Sequence, residues 1–471
     1  MIVTEKELDF NHLEKEIFNK YCQLGCEEIK IKLELWDTEL AQSRDRSLYR
    51  HKGKRKTVIK TIMGEVEYER AVYEVRQEDG TKSFVYLLDE AMGKSGSGFI
   101  SSLLSEQIVK ACCESSYHNA ARTVNELTGQ RISHTTAWNV VQSVGERLNE
   151  KEQQLSKLAK AEKGTGKIEA KLLFEEQDGI WLNLQGKSRK KHGSGKEMKL
   201  AIAYDGAKKA GKNRYELTNK VACANFESIE DFVKRKEGVI ASVYNIDEIE
   251  MRILGGDGAS WIRRSQTDET VHFQLDQFHR NRAILQYVSD IDKRKVIMKL
   301  LYEKEIELLL AAIEAFAKLS EDEKERENYL QLLNYFQNNK DGLVPYHRQN
   351  LDLPEPPEGK VYRHLGAMES NVFTIIGNRM KGRRACWSVD GGNNLARLLC
   401  LKYTNRLSDT LQNLSSSVLP ERYDEEVILK LSAAKVPLRE GKGYNGFHQM
   451  QIPSKMKWLK DLASPRSLVD I

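Results

Sequence analysis

Residues 168–184 read IEAKLLFEEQDGIWLNL. The texture is that of β-structure, interrupted at Asp178-Gly179, because Asp-Gly is a common turn dipeptide. Further along, Met198–Tyr204 and Tyr215–Ala222 read as two more strands. Ile229–Lys236 reads as a helix. Met251–Gly255 is a short apolar run that ends in Gly255-Gly256-Asp257-Gly258, and Ala259–Arg263 starts a helix. Val271–Leu275 is another strand, followed by a helix from Gln277. Strands that first come together and then alternate with helices predict an α/β sheet of mixed direction.

Before this stretch the chain changes character. Residues 5–43 are predicted helical, with Leu8, Leu13, Ile17, Tyr21 and Leu24 at helical spacing. Arg44–Lys60 is strongly basic and includes Lys54, Arg55 and Lys56. Thr57–Val75 alternates apolar and polar residues around Gly64, which is a hairpin signature. The basic run is either a solvated strand edge or an arm that contacts phosphates. Residues 97–146 are predicted all-helical. Within them, Ala120, Ala121, Val124 and Leu127 form one short apolar face. Gly129 suits a helix C-cap and Ser133 an N-cap. Ala137, Val140 and Val141 line a second helix. Two short helices about a glycine turn form a helix-turn-helix pattern, which would present His134, Thr135, Thr136 and Asn139 to bases, with Gln130 and Arg131 beside them. Helical hairpins that bind no DNA are also common. Lys151–Lys167 reads as a helix tail and linker.

After the sheet, residues 285–340 are helical and highly charged, with Leu300, Leu301, Ile306, Leu309, Leu310 and Ile313 as a core stripe. Pro354, Pro356 and Pro357 mark a connector. Helical periodicity returns over Glu369–Tyr403. The tail after about Leu411 is weakly patterned, with a helix predicted at Tyr423–Leu431. The expected modules are 1–95 (N-terminal helix, basic arm and hairpin), 96–150 (helix-turn-helix-like), 165–284 (sheet, first part), 285–350 (helical insertion), 351–410 (sheet, second part) and 411–471 (tail).

The 471 residues carry 74 Lys and Arg against 69 Asp and Glu, a net charge of +5. That balance alone does not imply a nucleic-acid partner, so the placement of charge matters more. No run approaches the ~18 apolar residues of a membrane span. The first 18 residues show neither a basic n-region nor an apolar h-region, so no leader is expected. Seven cysteines without CxxC pairs fit free thiols in a reducing cytoplasm. Walker A, GxGxxG and nucleophile-elbow motifs are absent, which counts against ATPase, nicotinamide and serine-hydrolase chemistry.

Three acids stand out by context. Asp178 precedes Gly179, Asp257 lies between Gly256 and Gly258, and Glu369 opens a predicted helix in GAMESNVFTIIGNRMKGRR. Each has a bland reading as a turn residue or a helix N-terminal acid. Together, carboxylates at strand ends can build a hard-cation site. Arg379, Lys381, Arg383 and Arg384 follow Glu369 by one helix and suit a phosphate backbone. Lys187, Arg189, Lys190, Lys191, Lys196 and Lys199 flank Gly193 and Gly195 in what reads as a basic loop, either a solvated hairpin or a DNA contact. Asp276 and His279 follow the strand at 271–275. They could serve as a metal or general-base pair, although a structural role or a DNA contact is the stronger reading.

The blocks FEEQDGIWLNLQ, LGGDGASWIR, QLDQFHRNR and GAMESNVFTIIGNRMKGRRACWSVDGGNNLARLL, with GEVEYERAVY and YLLDEAMG earlier, together resemble the ISLre family of bacterial insertion-sequence transposases. The resemblance runs in order over most of the chain. It implies a DDE-type transposase, in which an α/β ribonuclease H-like mixed-sheet core with a helical insertion follows α+β and helix-turn-helix DNA-binding modules. Carried over singly, Asp178 fits the first acid, Asp257 the second and Glu369 the third, although Glu355 and Glu358 lie near the last. The acids would hold Mg²⁺, with Mn²⁺ as a substitute. The expected partners are double-stranded DNA (terminal repeats and target) and further copies of the chain, with no membrane. His279, Arg379 and Lys381 would position strands. The expected location is the bacterial cytoplasm, on the nucleoid. Two rivals remain open: a catalytically inactive DNA-binding derivative, and a metal-dependent nuclease that never joins strands.

Overall fold

The structure is a computed structural model and describes residues 10–76, 80–93, 99–160, 166–266, 269–382 and 384–415. The chain begins with a long helix, α1 (Phe10–Ser43). It packs on a sheet made of β1 (Arg50–Lys60), β2 (Glu65–Arg76), β3 (Lys82–Val85) and β4 (Phe99–Ile100), with α2 (Leu87–Ala91) before β4. The β1–β2 hairpin turns where Thr61 Oγ1 bonds the Gly64 carbonyl at 2.9 Å. Leu33 and Trp36 of α1 are buried against Ile59, Val66 and Tyr68. Asp37 is buried in the same region, and both its carboxylate oxygens accept from the Ala71 amide at 3.1 Å.

Three helices follow: α3 (Ser102–Glu114), α4 (Tyr117–Thr128) and α5 (His134–Lys160). Ser101 and Ser116 cap α3 and α4 by accepting the amides of Leu104 and Asn119. Gly129 ends α4 at φ 67°, the left-handed conformation that glycine adopts without steric penalty. Ser133 accepts the Thr136 amide at 3.0 Å to begin α5. The helix–glycine–helix arrangement is therefore present. However, α5 has 27 residues and runs well past residue 150.

The larger sheet uses β5 (Leu172–Leu184), β6 (Gly195–Tyr204), β9 (Val221–Asn225), β10 (Met251–Gly256) and β11 (Val271–Leu275), in the order β11-β10-β5-β6-β9. Helix α6 (Gly186–His192) lies between β5 and β6, and a small ribbon of β7 (Ala207–Lys209) and β8 (Tyr215–Leu217) precedes β9. Strands β5, β6 and β9 pair antiparallel in succession. Strands β10 and β11 run parallel to β5. Their crossovers are α7 (Ile229–Ala241) and α8 (Ser260–Arg263). The expected break at Asp178-Gly179 does not occur. Asp178 pairs with Leu200 and Gly179 with Lys199, so β5 is continuous for 13 residues. Ladder bonds outweigh the local turn tendency, and the Glu197 side chain lies against Gly179, where a Cβ would displace its carboxylate.

After β11 come α9 (Gln277–Tyr287), α10 (Ile291–Glu303), α11 (Ile306–Leu319) and α12 (Glu323–Asn338). The last three are the helical insertion. Leu309, Ile313, Tyr329, Leu332 and Phe336 share one core with Leu254, Ile262 and Phe273 of the sheet region. The chain then forms α13 (Met368–Asn371), a π-helical turn (Val372–Gly377), α14 (Asn378–Met380), β12 (Cys386–Trp387), α15 (Val389–Tyr403) and α16 (Leu407–Ser415). Strand β12 adds to the end of β5.

The expected boundary at residue 150 falls inside α5, and packing joins the helices before it to the sheet after it. Leu104, Val109 and Val141 of the N-terminal helices share one buried cluster with Leu172 and Leu200 of the sheet and Leu395 and Leu399 of α15. Ion pairs knit the same helices together: Glu152 of α5 accepts from Arg235 of α7 and Arg397 of α15, each at 2.9 Å. The helix expected at 423–431 lies outside the described residues. No helix among the described residues is long and apolar enough to cross a membrane.

Candidate metal centre

Parallel strands bring their carboxyl ends to one edge, where open α/β sheets place their ligands. Pairing of β10 with β5 ends at Gly255–Glu176, so Asp178 projects just beyond it. Asp257 follows β10 directly. Asp276 follows β11, and its amide donates to the Gly256 carbonyl at 2.7 Å. Asp276 then caps α9, accepting the His279 amide at 3.0 Å, which sets His279 on the first turn facing the same edge. Glu369 arrives from α13. A narrow cleft is lined by Asp178, Asp257, Asp276, His279 and Glu369, with Glu176 and Gly256 at its base. One ligand atom each from Asp178, His279 and Glu369 lie within 4.8 Å of one another.

The electrostatics of the cleft follow from this crowding. Burial pushes the Asp178 carboxyl up to about 6, and the neighbouring Asp257 and Glu369 add to the rise. The Gly179 amide at 2.7 Å and the His279 imidazole oppose it. Among the described residues no Lys or Arg forms an ion pair with Asp178, Asp257 or Glu369. Acids that converge without a Lys or Arg partner, two of them raising the proton affinity of Asp178, have the donor chemistry of a divalent-cation site. Mg²⁺ and Mn²⁺ fit the carboxylate oxygens of this set.

Asp257 and Glu369 are braced by groups that the sequence pattern does not single out. Glu176 is buried and accepts from Tyr204 Oη at 2.6 Å and from the amides of Gly366, Ala367 and Met368 at 2.9, 3.3 and 3.2 Å. It thereby fixes the turn that delivers Glu369, even though burial raises its own proton affinity. Tyr335 of α12 donates to the Asp257 carbonyl at 2.8 Å. Gly258, at φ 87°, sits against the buried Asn339, where a Cβ would fall 2.4 Å from Asn339 Oδ1. Beneath the site, Glu175 of β5 is paired with Lys236 and, at 3.0 Å, with Arg252. Glu237 pairs with the same two cations at 3.0 and 2.7 Å. The available signal was two consecutive acids, Glu175-Glu176, inside an apolar strand. Buried carboxylates require partners.

The structure sorts the other expected site residues. His134, Thr135 and Asn139 are exposed on the first turns of α5, and Arg131 is exposed just before it. Lys54, Arg55 and Lys56 are exposed on β1. Lys56 pairs with Glu67 at 3.1 Å. Lys60 Nζ reaches the Arg131 carbonyl at 3.0 Å, joining the arm to the helix-turn-helix. Lys190 and Lys191 are exposed in the last turn of α6, so the expected basic loop is a short helix. Lys199, expected in that loop, is instead buried and bonds the Glu227 carbonyl at 2.8 Å. Arg379 is corrected as a strand contact. Its guanidinium turns inward between Tyr117 and Trp387 and donates to the Cys112 carbonyl at 2.7 Å. Lys381 and Arg384 are exposed, and Arg383 lies outside the described residues. Glu355 and Glu358 are exposed in the connector and do not line the cleft.

The sequence profile of an uncharacterised protein family, UPF0236, matches residues 3–409. The chain belongs to this family. A UPF0236 protein of Caldanaerobacter subterraneus subsp. tengcongensis, whose name joins eleven designations, is 26% identical over 82% of this chain and 75% of its own length. A UPF0236 protein of Streptococcus gallolyticus, named for the vanSb 3′ region, is 23% identical over 95% of this chain and 91% of its own. Among solved structures, a Drosophila P element transposase strand transfer complex aligns at 12% identity and a TM-score of 0.20, over 73% of this chain and 88% of that one.

Proposed function

We propose that this UPF0236 chain is a DDE-type transposase that cuts and joins DNA at the ends of its own mobile element. The observation that carries the proposal is the convergence of Asp178, Asp257 and Glu369 in one cleft from three distant parts of the chain. Three antiparallel strands, followed by two that run parallel to the first, is the plan of ribonuclease H-like cores, and that is the reading we give this sheet. A relative whose name joins eleven designations also suits a sequence carried in many copies.

In this reading Asp178, Asp257 and Glu369 hold divalent cations, which supply Lewis-acid activation of the attacking oxygen and stabilise the leaving one. His279, beside Asp178 and Glu369, donates to a phosphate oxygen and fixes the scissile strand. Glu176 and Tyr335 keep the backbones of the third and second acids in place, so that orientation costs little at the moment of reaction. The exposed turn of α5 with His134, Thr135 and Asn139 enters the major groove of the element end, and Lys54 and Arg55 contact phosphates. No covalent protein–DNA bond is required.

The test is incubation of the purified chain and of Glu369→Gln with Mg²⁺ and labelled DNA carrying the element ends. The expected result is cleavage plus a strand-transfer product from the wild type, with end binding but no product from the variant. Cleavage without any joined product would reduce the activity to a nuclease. Binding without cleavage by either protein would leave a DNA-binding derivative, and equal cleavage by both would remove Glu369 from the site.

A further inference from the structure

A second concavity lies on the other side of α13 from the acids. This groove, of about 970 Å³, is bordered by the β7–β8 ribbon, the connector before α13, and the turn between α15 and α16. Its lining is polar and cationic. Lys360 is matched to Asp205 at 2.7 Å and Lys208 to Glu216 at 3.5 Å. Four further cations, Arg214, Lys220, Arg363 and Arg406, form no ion pair among the described residues. Lys220 Nζ instead rests on the side-chain carbonyl of Asn371, two residues beyond Glu369, at 2.9 Å. Burial lowers the proton affinity of both Lys220 and Arg406. Glu216 and Asp409 act on Lys220 and Arg406 only from beyond ion-pair distance, and a partly buried cation so weakly matched gains when an anion arrives. Of the three tyrosines in the lining, Tyr204, Tyr215 and Tyr403, Tyr215 is the exposed one at 38%, with the Arg363 guanidinium 3.9 Å over its face. Spaced cations beside an aromatic platform are the means by which proteins hold single strands, the cations tracking phosphates and the ring stacking on a base.

We propose that this groove binds a single-stranded segment of the DNA substrate, leading it past α13 to or from the acid cleft. The assignment rests on the DNA-processing reading above and adds a second strand-binding surface, distinct from the helix-turn-helix. Asn371 and Glu369 share α13, so a strand seated on Lys220 is held to the helix that carries the third acid. Arg363 and Arg214 hold phosphates at the mouth, and Tyr215 stacks on an unpaired base.

The experiment is fluorescence anisotropy in EDTA with the full chain, using a labelled single-stranded oligonucleotide and, separately, a duplex of the element end. Cleavage by the wild type in Mg²⁺ runs alongside. Arg214→Glu with Arg363→Glu changes only exposed side chains, so the fold survives. The expected loss of single-strand affinity is about tenfold or more. The salt dependence should become shallower by about 1.4 in the log–log slope, at about 0.7 for each phosphate that is no longer neutralised. Duplex binding through α5 should stay within about twofold. Lys220→Met should weaken the single strand in the same direction. If the wild type cleaves DNA but the double variant binds single strands with unchanged affinity and slope, the groove assignment is overturned and the transposase reading stands. Equal weakening of duplex and single strand also overturns it. A wild type that neither binds nor cleaves any DNA refutes both.

Discussion

Replacing Asp178 with asparagine should make the metal-free protein more stable while abolishing the proposed DNA cleavage. The carboxyl is pushed up to about 6 by burial and by Asp257 and Glu369, from an ordinary value of 3.8. A raised carboxyl binds its proton more tightly in the folded state than in the unfolded one. Its ionisation therefore destabilises the fold as pH climbs from about 4 through about 6, and the penalty is complete above that. Two units correspond to about 3 kcal/mol at ~1.36 kcal/mol each. The carboxyl is only partly buried, so solvent screening reduces this to roughly 1–2 kcal/mol. Asparagine removes the charge and keeps an oxygen for the Gly179 amide. Thermal melts in EDTA should show Asp178→Asn close to wild type at pH 4.5 and higher by on the order of 1–2 °C at pH 8. Mg²⁺ should then raise the wild type, by about 1.4 kcal/mol at ten times its dissociation constant, and leave the variant nearly unmoved. A variant that melts at or below wild type at pH 8 would refute the crowded-acid reading. An equal gain from Mg²⁺ in both proteins would show that Asp178 is not a ligand.

The support beneath the site makes two further predictions. Glu176→Gln should lower cleavage by about 10–100-fold and weaken Mn²⁺ binding by a similar factor, because the amides of Gly366, Ala367 and Met368 lose a charged acceptor and Glu369 its fixed position. Titration of Mn²⁺ by its relaxation signal reads the binding, and unchanged affinity would confine Glu176 to a packing role. Lys236→Met should destabilise the fold by about 3–5 kcal/mol, because Glu175 would keep its charge in a buried site with Arg252 as its remaining cation. A denaturant midpoint within experimental scatter of wild type would mean that Glu175 takes up a proton and needs no partner.

Strands set by short-range apolar pattern were legible: Val271–Leu275 is a strand over those same residues. The glycine turn from α4 to α5 was legible because Gly129 and Ser133 are local capping signals. Asp178-Gly179 was not, since its turn tendency is local whereas the ladders to β6 that override it come from about twenty residues away. The continuity of α5 through residue 150 was not legible for a related reason. The apolar faces of α3 to α5 are completed by Leu395 and Leu399, which lie far off in sequence. Arg379 looked like a surface cation in a basic run, and only the fold shows its guanidinium enclosed by Tyr117 and Trp387. Glu176 was not legible as a support, because the amides it holds, those of Gly366, Ala367 and Met368, lie about 190 residues away in sequence.

The three acids are held by unequal means, and the differences fit their positions. Asp178 sits within a strand that is paired on both sides over part of its length, so its backbone is fixed by the sheet itself. Asp257 lies one residue past a strand end, where the ladder no longer holds it, and there α12 supplies Tyr335 on its carbonyl, with Asn339 just beyond it against Gly258. The helical insertion therefore braces the second acid, which gives a physical reason for α12 to pack beside β10 and β11 rather than stand apart. Glu369 is farthest from any ladder, at the start of a four-residue helix after a long connector. A helix so short cannot set its own position. Glu176 does so by binding three successive amides of the entering turn, which ties the third acid back to the strand that carries the first. The geometry of the cleft thus depends on β5 twice, directly at Asp178 and through Glu176 at Glu369. A change that shifts β5 should move Asp178 and Glu369 together, whereas Asp257, two residues past the last β10–β5 pair, keeps the separate hold of Tyr335 on its carbonyl.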